Sequence, residues 1–179
     1  MEYRICPEHG VAEGIEDCII AYRWLLSTTP ASSIIIAGDS AGGGTAALVM
    51  QRLHRRGLPQ PACGILMSPW LDLSMDMPSR KNEEDVLFFD SQLFVEIAKL
   101  VVPKDRDPRD PGCSALYGDW SGMPPLYIII GATERLADDS VVAAQKVREA
   151  GGRVELDVSD YGCHIFPTFC LVVPEALKP

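Results

Sequence analysis

Apolar residues recur along this chain with two periods, one typical of helices and the other of buried strands. Near the start they fall three and four residues apart and predict a helix with one buried face; these positions are Ile15, Cys18, Ile19, Tyr22, Leu25 and Leu26. Short, nearly continuous apolar runs predict strands at 32–37 ("SSIIIA"), 62–68 ("ACGILMS"), 125–131 ("PLYIIIG") and 153–158 ("RVELDV"). Helices are predicted between the strands at 41–56, from Asp90 or Ser91 through 102, and from Asp138 or Asp139 to Glu149.

The alternation of these elements predicts the fold class. Strands that are apolar almost throughout, separated by helices, are typical of an α/β fold with a parallel sheet covered on both faces. Residues 103–125, which contain five prolines, are predicted to form a loop. Because no repeat or linker divides the 179 residues, we expect a single domain, 1–179, in which 72–125 is a candidate lid. The apolar residues of that lid, for which core packing is an equal alternative, are Phe88, Phe89, Leu93 and Phe94.

Charge and cysteine content narrow the class of function. The formal net charge is −9, which argues against binding to nucleic acid or to an anionic membrane surface, because both require basic patches. No apolar run approaches the roughly 20 residues of a membrane-spanning helix, and the first residues do not have the pattern of a secretory signal. The six cysteines include no Cys-x-x-Cys pair, so we expect free thiols in the cytoplasm and no metal site.

A serine lies inside a glycine cluster, in the segment "GDSAGGGT" (38–45), and three known functional motifs resemble this pattern. A phosphate-binding loop would need a lysine where Gly44 stands. A dinucleotide-binding turn would need a glycine at Ser40 and a carboxylate about 20 residues later. No acidic residue lies between Asp39 and Asp72, so that position is empty. The third motif, the nucleophile elbow Gly-x-Ser-x-Gly, fits this segment, which lies between a predicted strand and a predicted helix.

The elbow motif assigns chemistry to Ser40. In such a turn the serine has a strained backbone, and small residues at Gly38 and Gly42 let the strand and the helix approach each other. The Ser40 hydroxyl would then project from the carboxyl edge of the sheet as a nucleophile. The backbone N–H of Ala41, at the helix N-terminus, would form part of an oxyanion hole.

A serine nucleophile needs a base, and the chain has three histidines. His9 precedes the first predicted helix, and His54 lies at the far end of the helix that follows Ser40. His164 follows the last predicted strand, in the chain order that α/β-hydrolases use. His164 is therefore the predicted base, and a purely structural histidine is the alternative.

The third member of a catalytic triad is a carboxylate that orients the histidine. Glu134, three residues past a predicted strand, is the preferred candidate. Asp138 and Asp139 are better placed to cap the following helix, and Asp72, after the neighbouring strand, is a rival. The choice stays open at this point, because any of these carboxylates would be ionised beside His164.

Several longer segments carry a family resemblance. They are "EYRICPEHGVAEGIEDCIIAYRWLL", "GDSAGG", "SPWLDL", "DPRDPGCSALYGDWSGMPPLYI" and "GATERLADDS". Together they resemble the hormone-sensitive-lipase-like family of α/β-hydrolases, which includes bacterial carboxylesterases, and they cover nearly the whole chain. The resemblance implies an eight-stranded α/β-hydrolase fold, hydrolysis of small to medium acyl esters through an acyl-enzyme, and no cofactor. It also implies that Ser40 is the nucleophile, His164 the base and Glu134 the acid.

The chain also departs from the family pattern. The family's H-G-G-[GA] oxyanion loop lies upstream of its P-E-H segment, whereas His9–Gly10 belongs to that segment itself. We therefore expect a fragment without the cap helices and the first three strands. A strand near Glu2–Cys6 and an empty slot between it and the strand at Ile34–Ile36 are expected, and such an edge favours self-association as a homodimer. Impaired activity is the corresponding expectation, and an inactive fragment or a small-molecule-binding protein is the alternative.

Overall fold

The computed structural model describes residues 1–85, 91–160 and 163–169. Its main elements are α1 (Val11–Leu25), β1 (Ile35–Asp39), α2 (Ser40–Arg55), β2 (Cys63–Met67), α3 (Ser91–Val101), β3 (Leu126–Gly131), α4 (Ala137–Glu149) and β4 (Val154–Ser159). Short 3-10 turns occur at Ala31–Ser33, Pro78–Lys81, Ala115–Tyr117 and Phe166–Phe169. The bounds of the strands and helices differ by only a few residues from those that the apolar pattern predicts. None of the helices in the described ranges is long and apolar enough to span a membrane.

The four strands form one parallel sheet in the order β1-β2-β3-β4. One row of the register runs from Gly38 through Leu66 and Ile128 to Leu156. The predicted α/β class is confirmed. Because the strands are parallel, their carboxyl ends share one edge of the sheet, which is where α/β folds bind ligands.

A large apolar cluster joins α1, α2 and α4 to the central strands. Its fully buried members include Ile19, Leu53, Leu66, Ile128 and Val147. Burial of an apolar side chain of this size contributes about 1.5–3 kcal/mol to the stability of the folded state. This cluster fixes α2 against the sheet and so determines where its first residue lies.

The described part of the candidate lid contributes to a second apolar cluster. Phe94, in α3, is 6% exposed, and its ring packs edge-on against Trp70 with centroids 5.0 Å apart. Aromatic pairs in this geometry contribute about 0.5–1.5 kcal/mol beyond the area they bury. Phe94 is therefore a core residue, whereas Leu93 is 41% exposed. Outside the described residues lie Phe88, Phe89 and the candidate helix cap Asp90.

The strand expected near Glu2–Cys6 is not present, and this prediction is wrong. The segment lies against α1 instead: Arg4 donates to the carboxylate of Asp17 from its backbone N–H over 3.1 Å and from its guanidinium over 2.9 and 2.7 Å. The carbonyl oxygen of Arg4 lies 2.6 Å from the position of a Cβ on Gly14, so this approach requires a glycine in the helix. A strand needs a neighbouring strand for its backbone hydrogen bonds, and a helix surface offers none.

The outer edge of β1 is exposed. Within the part of the chain that the structure describes, β1 pairs with β2 alone. Ile35 is 56% exposed, and a groove of about 350 Å³ separates β1 from α1. Tyr22, Leu25 and Ala37 contribute to the lining of this groove. Unpaired strand edges of this kind are templates for pairing with another chain.

Candidate active site

Ser40 is the first residue of α2 and directly follows the end of β1. Its backbone φ is +51°, in the left-handed region that residues other than glycine rarely occupy. The backbone N–H of Trp70 donates to the carbonyl oxygen of Ser40 over 2.9 Å, which ties the turn to the segment after β2. The serine thus lies in a strained turn between a strand and a helix, as in a nucleophile elbow.

Only one of the two elbow glycines is required by the space around it. A Cβ on Gly38 would lie 2.3 Å from the carbonyl oxygen of Gly42, so a side chain there would force the strand and the helix apart. A Cβ on Gly42 would meet nothing closer than a carboxylate oxygen of Asp39 at 4.0 Å. The expectation that both positions must be small is therefore wrong for Gly42, which borders the open groove beside β1.

The imidazole of His164 lies between Ser40 and Glu134. Its Nε2 atom is 2.9 Å from Oγ of Ser40, and its Nδ1 atom is 2.9 Å from Oε2 of Glu134. His164 is 6% exposed and Glu134 is 1% exposed, so little water reaches the contact between them. A carboxylate only accepts hydrogen bonds, so the proton between these groups lies on Nδ1 and Nε2 is left to accept the serine proton.

The carboxylate of Glu134 has a separate role for each oxygen. Oε2 faces His164, while Oε1 accepts from the Ser68 hydroxyl over 2.8 Å and from the backbone N–H of Gly131 over 2.7 Å. The Ser68 hydroxyl in turn accepts from the backbone N–H of Ile165 over 2.9 Å. No sequence motif marks Ser68 as part of the site. Its signal was a polar residue directly after β2, at the same edge of the sheet as Ser40.

The other candidate carboxylates do not bind His164. The fully buried Asp72 accepts through Oδ1 from the backbone N–H of Ser74 over 2.8 Å. Asp138 and Asp139 lie inside the first turn of α4, and no side chain caps that helix at Leu136, so the capping prediction is wrong. The histidines His9 and His54 are exposed, and neither contacts Ser40 or Glu134.

Asp138 and Asp139 instead hold the segment after β2 against the start of α4. Asp138 accepts from the backbone N–H of Ser79 over 2.7 Å. One oxygen of Asp139 accepts from the backbone N–H groups of Leu71 and Asp72 over 2.8 and 3.0 Å, and the other accepts from Arg80 over 2.6 Å. The oxygens of both carboxylates thus accept from groups outside α4, and neither side chain caps the helix.

Burial raises the pKa of Asp139 to about 6. The charge of Arg80 and the two backbone N–H groups act in the opposite direction and limit the rise. Arg80 is itself 3% exposed, so the two charges form a buried ion pair. Its guanidinium also donates to the carbonyl oxygen of Arg135, which follows Glu134 directly. The network therefore anchors the loop that carries Glu134.

An apolar cavity of about 180 Å³ lies beside Ala41. Ala41 is the second residue of α2, so its backbone N–H belongs to the first turn, where N–H groups have no partner within the helix. The cavity is lined in part by Leu48, Leu73, Ile97 and Val101. This cavity is therefore suited to an apolar group attached to a carbonyl carbon at Ser40.

The described residues contain no group of three or more His, Cys, Asp or Glu side chains that could hold a metal ion. The cysteines in these ranges are free: Cys6, Cys18, Cys63, Cys113 and Cys163. Burial raises the pKa of the Cys163 thiol, so this neighbour of His164 is a neutral thiol at pH 7.

Comparison with known proteins places the chain in a family. The α/β-hydrolase fold family matches residues 1–168. An acetyl-hydrolase of Streptomyces hygroscopicus is 33% identical over 99% of this chain and 60% of its own length. An esterase of Acinetobacter venetianus is 32% identical over 98% of this chain and 59% of its own length. The chain thus spans about 60% of the length of these curated relatives.

Solved structures give the same result. A variant of the esterase E40 superposes with a TM-score of 0.93 at 33% identity, covering 98% of this chain and 59% of that one. A hormone-sensitive lipase from a metagenome library superposes with a TM-score of 0.90 at 36% identity and the same coverage. An esterase of the bacterial hormone-sensitive lipase family gives 0.93 at 34% identity, again with 98% and 59% coverage. The elbow turn, the parallel sheet and these similarities together show that the chain belongs to the α/β-hydrolase fold family, in its hormone-sensitive-lipase-like group.

Proposed function

We propose that the protein is a serine carboxylesterase in which Ser40 is the nucleophile, His164 the base and Glu134 the acid of the triad. One observation carries the proposal: the hydrogen-bonded chain from Ser40 Oγ through His164 to Glu134 Oε2, with 2.9 Å at each step. The names of the relatives, which are esterases and hydrolases, support the same reaction class.

The reaction proceeds in two halves. Nε2 of His164 takes the hydroxyl proton as Oγ of Ser40 attacks the ester carbonyl carbon, and the carbonyl oxygen becomes an oxyanion. The backbone N–H of Ala41 stabilises that oxyanion. The imidazolium, stabilised by Glu134, gives its proton to the leaving alcohol, and an acyl-Ser40 ester remains. A water molecule, deprotonated by His164, then attacks this ester, and the proton returns to Oγ as the carboxylic acid leaves.

Substrates are proposed to be esters with small to medium acyl groups. The cavity beside Ala41 has a volume of about 180 Å³ and an apolar lining, which suits a short acyl chain rather than a charged group. The net charge of −9 also argues against substrates with a negatively charged acyl group, since an acidic surface disfavours anionic substrates.

We propose that turnover by residues 1–179 is weak. Ala41 is the only oxyanion donor that the elbow motif assigns, and removal of one donor from an oxyanion hole typically lowers kcat by about 10²–10³-fold. The measurement is kcat on p-nitrophenyl butyrate, compared with a full-length esterase relative under the same conditions. Equal turnover by the two proteins would contradict the impairment but not the assignment of the triad.

Ser40→Ala tests the assignment. The wild-type chain should hydrolyse p-nitrophenyl butyrate and react covalently with a fluorophosphonate probe, and the variant should do neither. Ser32→Ala, at an exposed serine outside the site, is the matched control and should behave as the wild type. Full hydrolysis by Ser40→Ala would overturn the proposal. A wild-type chain that neither reacts with the probe nor hydrolyses the ester would favour an inactive fragment or a small-molecule-binding protein.

We also propose that the chain acts as one domain in which the segment 72–125 bounds the substrate cavity. Leu73, Ile97 and Val101 belong to that segment and line the cavity beside Ala41. Substitutions in this segment that narrow the cavity should therefore change the preference for acyl chain length.

The proposal extends to a homodimer in the cytoplasm. The exposed edge of β1, with Ile35 56% exposed, supports pairing between two copies. Ile35→Lys should convert a dimer to a monomer in analytical ultracentrifugation, and a wild-type chain that stays monomeric at its highest soluble concentration would contradict it. The free thiols support a reducing compartment, which cell fractionation tests.

A further inference from the structure

The hydroxyl of Ser68 touches both sides of the hydrogen bond between His164 and Glu134. It donates to Oε1 of Glu134 over 2.8 Å and accepts from the backbone N–H of Ile165 over 2.9 Å. Ile165 follows His164 directly, so one side chain holds the carboxylate and the backbone that carries the imidazole. We infer that Ser68 is a positioning residue of the esterase site, an inference that rests on the proposed function.

Ser68 is itself held firmly. It is 2% exposed, and its backbone N–H donates to the carbonyl oxygen of Ile129 over 2.8 Å, which continues the pairing of β2 with β3. The hydroxyl has one proton, which goes to Glu134, and its lone pairs serve Ile165. The sheet thus fixes the position of the Ser68 oxygen. That oxygen in turn holds the loops that carry Glu134 and Ile165 at the carboxyl edge of the sheet.

Two backbone conformations near this hydroxyl are strained. Ser68 has φ +43° and Ile165 has φ +54°, in the left-handed region that is rare for both and least favourable for β-branched isoleucine. Such conformations persist where surrounding contacts enforce them, and they concentrate at functional sites. The Ser68 hydroxyl is the contact that accepts the N–H of Ile165, so it helps to keep the His164 loop in place.

The contact with Oε1 also acts on the carboxylate that faces the base. Hydrogen bonds to a carboxylate stabilise its charged form, so the Ser68 donor supports the charge that stabilises the imidazolium of His164. Among the described residues, the Cys163 thiol interacts electrostatically with both Glu134 and Asp85, and the Asp85 carboxylate accepts from the backbone N–H of Arg135. A displaced His164 loop would also separate the imidazole from this carboxylate.

The test measures how fast a fluorophosphonate modifies Ser40 as a function of pH in the 179-residue chain. Ser68→Ala removes the hydroxyl. Ser68→Gly also removes it, but glycine adopts a positive φ without strain, so comparison of the two variants separates the effect of the lost hydroxyl from the effect of backbone strain. Ser140→Ala is the matched control, because Ser140 is fully buried and its hydroxyl has no hydrogen-bond partner among the described residues. Cooperative unfolding of each variant checks that it is folded.

Both Ser68 variants should react about 10- to 10²-fold more slowly than the wild type. The pH profile of the rate should also change, because the contact between Glu134 and His164 is altered, whereas Ser140→Ala should leave rate and profile unchanged. An unchanged rate or an unchanged pH profile in both folded Ser68 variants, or full recovery in Ser68→Gly alone, would overturn the inference. If the wild type itself does not react at Ser40, it is the proposed esterase function that fails.

Discussion

Nδ1 of His164 lies 2.9 Å from Oε2 of Glu134, and both side chains are almost fully buried. The carboxylate reaches the imidazole from the loop after β3, while its second oxygen is occupied by Ser68 and Gly131. One carboxylate therefore contacts His164 through one oxygen and Ser68 and Gly131 through the other, which requires the full length of the glutamate side chain.

Glu134→Gln should lower kcat for p-nitrophenyl butyrate by about 10³–10⁴-fold, because an amide cannot stabilise the imidazolium and favours the wrong tautomer of His164. Glu134→Asp keeps the charge but shortens the side chain, and a misplacement of about 1 Å should cost about 10²-fold. Asp72→Asn is the control and should keep kcat near the wild-type value, because Asp72 bonds to Ser74 rather than to His164. A larger loss in Asp72→Asn than in Glu134→Gln would assign the acid to Asp72.

The two elbow glycines should respond differently to alanine. Gly38→Ala places a methyl group 2.3 Å from the carbonyl oxygen of Gly42, so it should destabilise the fold by about 1–3 kcal/mol or more and displace Ser40. Gly42→Ala meets no atom closer than 4.0 Å and lies in a helix, where alanine is favoured over glycine by about 0.5–1 kcal/mol. Urea unfolding and the rate of fluorophosphonate labelling measure both effects. Equal loss in the two variants would show that the space beside Gly42 is not open in solution.

Local patterns made the fold and the elbow accessible from sequence. The apolar periods around Ile19 and at 125–131 depend only on neighbouring residues, and the elbow motif around Ser40 requires a strand before it and a helix after it. The choice among the carboxylates, by contrast, depends on contacts between distant segments. Glu134 and Asp139 are five positions apart at one edge of the sheet, and only tertiary packing turns the first towards His164 and the second towards Arg80.

The same reason explains what the sequence analysis missed or misjudged. Ser68 has no motif of its own; its role depends on two loops, carrying Glu134 and Ile165, that meet at its hydroxyl. The segment Glu2–Cys6 has an alternating pattern that a strand tolerates, yet its conformation is decided by the surface of α1. Contacts between distant segments therefore set both outcomes.

Arg80→Met should destabilise the protein at pH 7 by about 3–5 kcal/mol, because it leaves the buried carboxylate of Asp139 without its cation. The native pKa of Asp139 is already raised to about 6, and removal of Arg80 raises it further. A carboxyl group with a raised native pKa contributes most at low pH, below its unfolded value, and loses that contribution as the pH rises through the native pKa. The deficit of the variant should therefore shrink on acidification from pH 7 to pH 5.

Urea unfolding at the two pH values measures this deficit. Arg109→Met is the control, because Arg109 pairs with Asp76 on the surface, where both side chains are 57% exposed. That variant should change stability little at either pH, since exposed ion pairs are screened by water and salt. A deficit in Arg80→Met that is the same at pH 5 and pH 7 would show that Asp139 does not titrate in this range.

Val101→Trp should shift acyl preference towards shorter chains. Val101 lines the cavity of about 180 Å³ beside Ala41, and a larger side chain there removes volume from this cavity. A missing or excess methylene in an apolar pocket changes kcat/KM by about 10- to 200-fold, so the ratio of kcat/KM for p-nitrophenyl butyrate over acetate should fall by about 10-fold or more.

Leu100→Trp, at a neighbouring residue that is 58% exposed, should leave the ratio unchanged. Because the ratio compares two acyl chains on the same enzyme, it is insensitive to the amount of folded protein. An unchanged ratio in Val101→Trp would mean that the acyl chain lies elsewhere.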